Sequence, residues 1–379
     1  MTAPGRDAYL DNAATTRVRP EAIDAMMPML TGCYANPSGA HRMARDARRA
    51  LDDARDVMAE VLGAEPGEIV FTAGGTEADN LAVFGARAKR GGTVVCSAVE
   101  HHAVLHPVES IGGCVVPVDG VGVIDLGALK ESLDDSVSLV SVMLANNETG
   151  TVQPFADVVD VVRDRAPDAL IHTDAVQAVP WLDVASLAAG ADLISVSAHK
   201  FGGPKGVGAL VVRGGAEIAP LLVGGGQERD LRSGTQNAPG IVAMAAAARA
   251  TLDTRAQVVA EVGALRDRLA DGLMAGIDGV SETGVRANKV AGSCHLCIDG
   301  IESEALLFLL EREGVFASAA SSCSAGAQDP SHVLAAMGYE RERAGGSLRL
   351  SLGYDTTSAD IDQALEVLPS AVERLRAFG

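Results

Sequence analysis

Aromatic residues are scarce in this chain, at 3% of 379 residues, while glycine is abundant at 42. That balance favours closely packed helices and glycine turns over flat aromatic binding platforms. Basic charge is also short: 31 Lys and Arg face 50 Asp and Glu, a net charge of -19. Such a surface repels phosphate backbones and anionic membranes, which argues against direct nucleic-acid binding and suits a basic protein partner. No run approaches the ~20 apolar residues of a membrane helix. Met1 to Leu10 is polar and short, without the apolar segment of a secretory leader, so the expected location is the cytoplasm. In that compartment the six cysteines read as free thiols and not as a disulfide framework.

The chain exceeds what one core usually supports, and its 47% hydrophobic content is that of a folded globular protein, so two domains are expected. From Glu68 to Val212, short β-branched runs alternate with amphipathic stretches. The runs are Glu68–Thr72, Thr93–Ser97, Cys114–Val118, Leu139–Leu144, Ala169–Thr173, Asp192–Ser197 and Gly208–Val212. This alternation predicts an α/β fold with a mainly parallel seven-stranded sheet covered on both faces. An alanine-rich helical pattern opening at Pro239 runs to about Gly276, long enough to bridge two domains. The remainder reads as a smaller α+β domain. The expected division is 13–255 for the large domain, with 1–12 and 256–379 forming the small one.

Ligands of such sheets bind beyond the carboxyl ends of the strands, and the residues there are chemically loaded. Ala73-Gly74-Gly75-Thr76-Glu77 opens a helix whose N-terminus can cradle an anion. The same pattern also fits ordinary capping. Glu100-His101-His102 could place an imidazole over a flat ring; adjacent side chains diverge, which counts against a metal pair. Asn146 and Asn147 follow an apolar strand and either shape the loop or touch a ligand. Asp174, three residues before Gln177, could pair with a protonated ring nitrogen. Lys200 sits between a strand and a glycine-rich turn, flanked by Ser197 and His199 that can hold a phosphate. An acidic residue, an imine-forming lysine and a phosphate cradle are the set that pyridoxal phosphate requires.

These segments appear in family order across nearly the whole chain. With them come Asp11-Asn12-Ala13-Ala14, Asn36-Pro37-Ser38, Gly224-Gly225-Gly226-Gln227-Glu228, Arg232-Ser233-Gly234-Thr235, Ser321-Ser322-Cys323-Ser324-Ala325 and Arg349-Leu350-Ser351-Leu352-Gly353. The chain strongly resembles the cysteine desulfurases, class V aminotransferase-like enzymes of the fold-type I pyridoxal 5'-phosphate group. The resemblance implies that Lys200 carries the cofactor, Asp174 pairs with its ring nitrogen and Gln177 reaches its phenolic oxygen. His101 is implied to stack on the ring with Asn147 nearby, and Gly75, Thr76, Ser197 and His199 to hold the phosphate. Thr235 is implied to reach the phosphate of a second subunit, hence a homodimer. Arg349 and Asn36 are implied to bind the carboxylate of L-cysteine.

Cys323 lies in a run of small residues, a setting in which a thiol can react. The resemblance, which is to the long-catalytic-loop group, implies that Cys323 takes sulfur from L-cysteine as a persulfide, releasing alanine. It passes the sulfur to acceptors such as an iron–sulfur scaffold or a tRNA-thiolation enzyme. Lys200, with His101, is implied to move the Cα proton. Ser322 and Ser324 stand where relatives often carry Ala and Thr. Alternatives on the same fold are a selenocysteine lyase or a class V aminotransferase, and, outside catalysis, a scaffold. Cys294-His295-Leu296-Cys297 resembles a metal knuckle, but its alternation fits a strand and no second ligand pair follows. Cys33, Cys96 and Cys114 read as structural.

Overall fold

The computed structural model describes residues 7–319 and 331–378. A short strand, β1 (Ala8–Tyr9), is followed by two helices, α1 (Pro20–Thr31) and α2 (Arg42–Leu62). Strands and helices then alternate through β2 (Ile69–Thr72), α3 (Gly75–Arg90), β3 (Thr93–Ser97), α4 (His102–Ser110), β4 (Cys114–Val116) and α5 (Leu126–Glu131). They continue through β5 (Val137–Ser141), α6 (Phe155–Arg165), β6 (Leu170–Asp174), α7 (Val184–Leu187), β7 (Leu193–Ser197) and β8 (Gly208–Val212). The 39-residue α8 (Ala238–Gly276) leads into β9 (Val280–Glu282), β10 (Ser293–Ile298), α9 (Ser303–Arg312) and β11 (Val315–Phe316). Last come α10 (His332–Ala336), α11 (Arg341–Gly345), β12 (Ser347–Ser351) and α12 (Ser358–Phe378).

Seven strands form the large sheet in the order β2-β8-β7-β6-β5-β3-β4. All neighbours from β7 to β4 are parallel, and β8 runs antiparallel to both β2 and β7. The sheet is therefore α/β and mainly parallel, as its apolar runs predict. β5, β6 and β7 are buried at every residue, because helices cover both faces. Cys114–Val118 was expected as one strand, but β4 stops at Val116, where Pro117 has no N–H for the ladder.

β9, β10 and β12 make a separate antiparallel sheet, and β1 pairs with β11. Helix α8 touches two cores: Ile241, Met244 and Ala248 join the one under the large sheet, while Val262, Leu269 and Leu273 join the one around β10 and β12. Helices α1 and α2 carry no motif that the sequence reading used. Helix α2 follows the 3.6-residue rule all the same, burying Ala44, Ala47, Leu51, Ala54 and Met58 on one stripe. The His41 ring caps its start, and Gly63 (φ 61) ends it in the left-handed conformation glycine favours.

In β10, Cys294 and Leu296 join the small core, Cys297 meets Val333 and Leu334 on the opposite side, and His295 bonds Thr283. The alternation expected of a strand is what the register shows.

Candidate active site

The carboxyl ends of β2, β3, β5, β6 and β7 open on one cavity of about 370 Å³. Gly75, Thr76, His101, Asn147, Asp174, Gln177, Ser197, His199, Lys200 and Arg349 line it, and so does Asp79.

Lys200 arrives there because β7 ends at Ser197 in a single 3-10 turn, Ala198–Lys200. Gly202 lets the chain leave: its φ is +88°, and a Cβ on it would sit 2.4 Å from the Arg19 side chain. The Lys200 ammonium donates to the carbonyls of Ala13 and Ala14, the latter at 2.9 Å. Asp174 closes β6, the parallel neighbour of β7, with Ser195 directly opposite it. Its Oδ1 accepts from the Val176 N–H at 2.8 Å. Burial pushes the Asp174 carboxyl up to about 6, partly offset by the Val176 N–H and the Lys200 charge. The Gln177 amide donates to Ala13 at 2.8 Å.

Helix α3 begins at Gly75 with no side-chain cap among the described residues, and its first residues, Gly75 and Thr76, line the cavity with Ser197 and His199. A Cβ on Gly75 would approach Val176 to 2.9 Å and Ser197 to 3.4 Å, so a larger residue would crowd this corner. His199 meets the Thr15 hydroxyl through Nδ1 at 3.2 Å, and burial together with Lys200 lowers its pKa to about 4.

His101 caps α4: its Nδ1 accepts from the Ala103 N–H at 3.1 Å, which puts the ring proton on Nε2. Burial and Lys200 lower its pKa to about 4, so the ring is neutral. His102 diverges, as adjacent side chains must, stacking on His106 with centroids 4.5 Å apart and tilting against His332 at 4.4 Å. The two asparagines divide their tasks. Asn146 Oδ1 accepts from the N–H groups of Glu148 and Thr149, shaping the loop, while Asn147 lines the cavity.

Arg349 enters from β12, far away in sequence. Nη2 donates to Asp11 at 2.8 Å and Nη1 to the Asn147 carbonyl at 3.2 Å, while buried Nε has no hydrogen-bond partner among the described residues. Asn36 and Thr235 are exposed and do not line the cavity. Cys323 lies outside the described residues. Asp79, to which the sequence reading gave no role, lines the cavity. Its signal was a carboxylate on the apolar stripe Gly75, Ala78, Ala82, Ala86 of α3.

Residues 8–364 match the family described as aminotransferase class-V. The chain belongs to that family. Among its relatives, an IscS-like cysteine desulfurase of Mycobacterium tuberculosis is 46% identical over 97% of each chain. The cysteine desulfurase IscS of Methanosarcina thermophila is 40% identical, covering 99% of this chain and 94% of the relative. A solved NifS-like protein superposes with a TM-score of 0.91 at 36% identity, over 97% of this chain and all of the other. A structure described as SspA in complex with cysteine superposes at 0.79 with 32% identity, over 92% of this chain and all of that one. This class-V chain thus shares length, fold and sequence with cysteine desulfurases.

Proposed function

We propose that this class-V enzyme is a pyridoxal phosphate-dependent cysteine desulfurase that turns L-cysteine into L-alanine and a persulfide on Cys323. The observation that carries the reading is the convergence of Lys200, Asp174 and the uncapped α3 N-terminus on one cavity with a half-satisfied arginine. The residues fit the cofactor: a carboxylate buried at one end, N–H groups and hydroxyls at the other, and a lysine between. Bound there, pyridoxal phosphate supplies an electron sink for the Cα–H bond of an amino acid.

Asp174 would hold the ring nitrogen, and Thr76, Ser197, His199 and the α3 N–H groups would take the phosphate. Gln177, Asn147 and neutral His101, with Nε2–H as donor, would hold the ring. Since His101 Nδ1 is already engaged, the group left to lift the Cα proton is the Lys200 amine. Arg349, helped by Asn36, binds the substrate carboxylate through its guanidinium fork. Cys323 takes the sulfur and carries it to a protein acceptor, an iron–sulfur scaffold or a tRNA-thiolation enzyme.

The unit is a homodimer in which Thr235 reaches the partner's phosphate site. Exposed Leu222 and Val223, 46% and 82% accessible, lie near Thr235 and support such a contact. The small domain (1–12 and 256–379) carries Cys323, and the large one (13–255) the cofactor. Among the described residues no helix is long and apolar enough to cross a membrane. We place the enzyme in the cytoplasm, where its thiols stay reduced.

Mass spectrometry after incubation with L-cysteine tests the reading. The parental protein gains one sulfur at Cys323 and releases alanine, and Cys323→Ser keeps the cofactor but does neither. Borohydride reduction labels Lys200. Keto-acid exchange without sulfide release, or a Cys323→Ser protein as active as its parent, would overturn it.

A further inference from the structure

Beneath the cavity lies a row of buried polar side chains that the reaction described above does not use. Ser141 and His172 face each other across β5 and β6, and Asp174 and Ser195 across β6 and β7. His172 is fully buried; its Nδ1 is 2.8 Å from Ser141 Oγ and its Nε2 2.9 Å from Ser195 Oγ. Helix α3 closes the row with Asp79, which is 1% exposed. Oδ1 of its carboxyl stands 3.7 Å from His172 Nε2 and, among the described residues, has no hydrogen-bond partner.

Asp79 and Asp174 are both buried and line the same cavity, and the charge of one raises the cost of ionising the other. The surroundings decide which of them keeps its proton. Asp174 has a backbone N–H at 2.8 Å and the positive charge of Lys200 to favour its anion. Asp79 has Ser195, an imidazole and the like charges of Asp174 and Glu100. Glu100 is itself buried ahead of α4, with one oxygen on the Met143 N–H and the other unpaired. Neutral His101 completes the set of titratable neighbours.

We propose that Asp79 is a positioning residue, the un-ionised partner of Asp174. Its carboxylic acid, set against the His172 ring that joins Ser141 to Ser195, keeps the pocket's negative charge on Asp174, where the ring nitrogen of the cofactor would be held. Burial and the nearby carboxylates push the Asp79 carboxyl well above its ordinary range, while the Val176 N–H and the Lys200 charge act on Asp174 in the opposite sense. Burial pushes His172 down to about 3, so it stays neutral and links the two serines without adding charge. The inference rests on the cofactor reading given above.

Infrared spectroscopy of the holoenzyme with ¹³C-carboxyl aspartate tests it, alongside the dissociation constant for pyridoxal phosphate. The labelled parental protein shows an un-ionised aspartic acid at neutral pH, and Asp79→Asn removes that signal. Asp79→Asn replaces one neutral group by another and keeps the cofactor affinity within about threefold. Asp79→Ala removes the buried acid beside His172 and weakens binding about tenfold or more. Absence of the labelled acid in the parental holoenzyme overturns the assignment without recourse to any variant. So does an Asp79→Asn protein that binds the cofactor as poorly as Asp79→Ala. A parental protein that takes up no cofactor sinks the cofactor reading and this one together, whereas cofactor uptake without the labelled acid sinks this one alone.

Discussion

In the large sheet β3, β5, β6 and β7 all run one way, so their carboxyl ends deliver His101, Asn147, Asp174 and Lys200 to a single crevice. In the small sheet β10 runs against both β9 and β12, which sends successive strand ends to opposite edges. Of that sheet's three strands, only β12 lines the cavity, through Arg349. Two histidines sharpen the contrast. His172 and His295 are both fully buried and pushed down to about 3 by that burial. His172 has a serine on each nitrogen, whereas His295 bonds Thr283 through Nδ1 and, among the described residues, leaves Nε2 unpaired. Burial alone therefore does not distinguish the two histidines; their hydrogen-bond partners do.

The contrast predicts unequal effects of substitution. Lys200→Ala on the parallel side should lower the rate of alanine release by about a thousandfold or more, since it removes the group proposed to move the Cα proton. A rate within tenfold of the parent would remove Lys200 from the chemistry. Arg349→Ala, the small sheet's contribution, should cut kcat/KM for L-cysteine about a hundredfold, the loss of one charge-assisted pair. The cofactor should stay bound, and steady-state kinetics with a cofactor titration would separate the two effects.

Cys294→Ser should leave turnover unchanged and lower stability by about 1–2 kcal/mol, because a hydroxyl replaces a thiol packed among leucines. Denaturant melts with parallel assays check it; a large loss of activity would bring β10 into the mechanism.

The smallest effect concerns Glu148, whose carboxyl burial pushes up from 4.5 to about 7. A raised carboxyl favours the folded state fully below 4.5, and that contribution drains away as pH rises through about 7. Glu148→Gln should flatten the fall of Tm over that window. An unchanged slope would show that Glu148 ionises normally.

Much of this was legible from residues alone, for physical reasons that differ from place to place. The parallel strands announced themselves because a strand buried on both faces must be apolar throughout. Lys200 and Asp174 stood out because charged groups directly after such runs are costly unless used. Helices α1 and α2 went unread since no chemical motif marks them, although α2 obeys its periodicity.

Local order along the chain thus determined the alternation of elements, the long helix α8 and which residues end the strands. Each depends on spacing within a few residues. Tertiary packing alone decided that β8 runs antiparallel between β2 and β7, and that Arg349 reaches the cavity holding Lys200. It also left Asn36 and Thr235 outside that cavity and set Asp79 of α3 against His172 of β6. Such meetings join positions tens to hundreds of residues apart. They follow from how helices cover a twisted sheet, a global fit of surfaces that no short window of sequence contains.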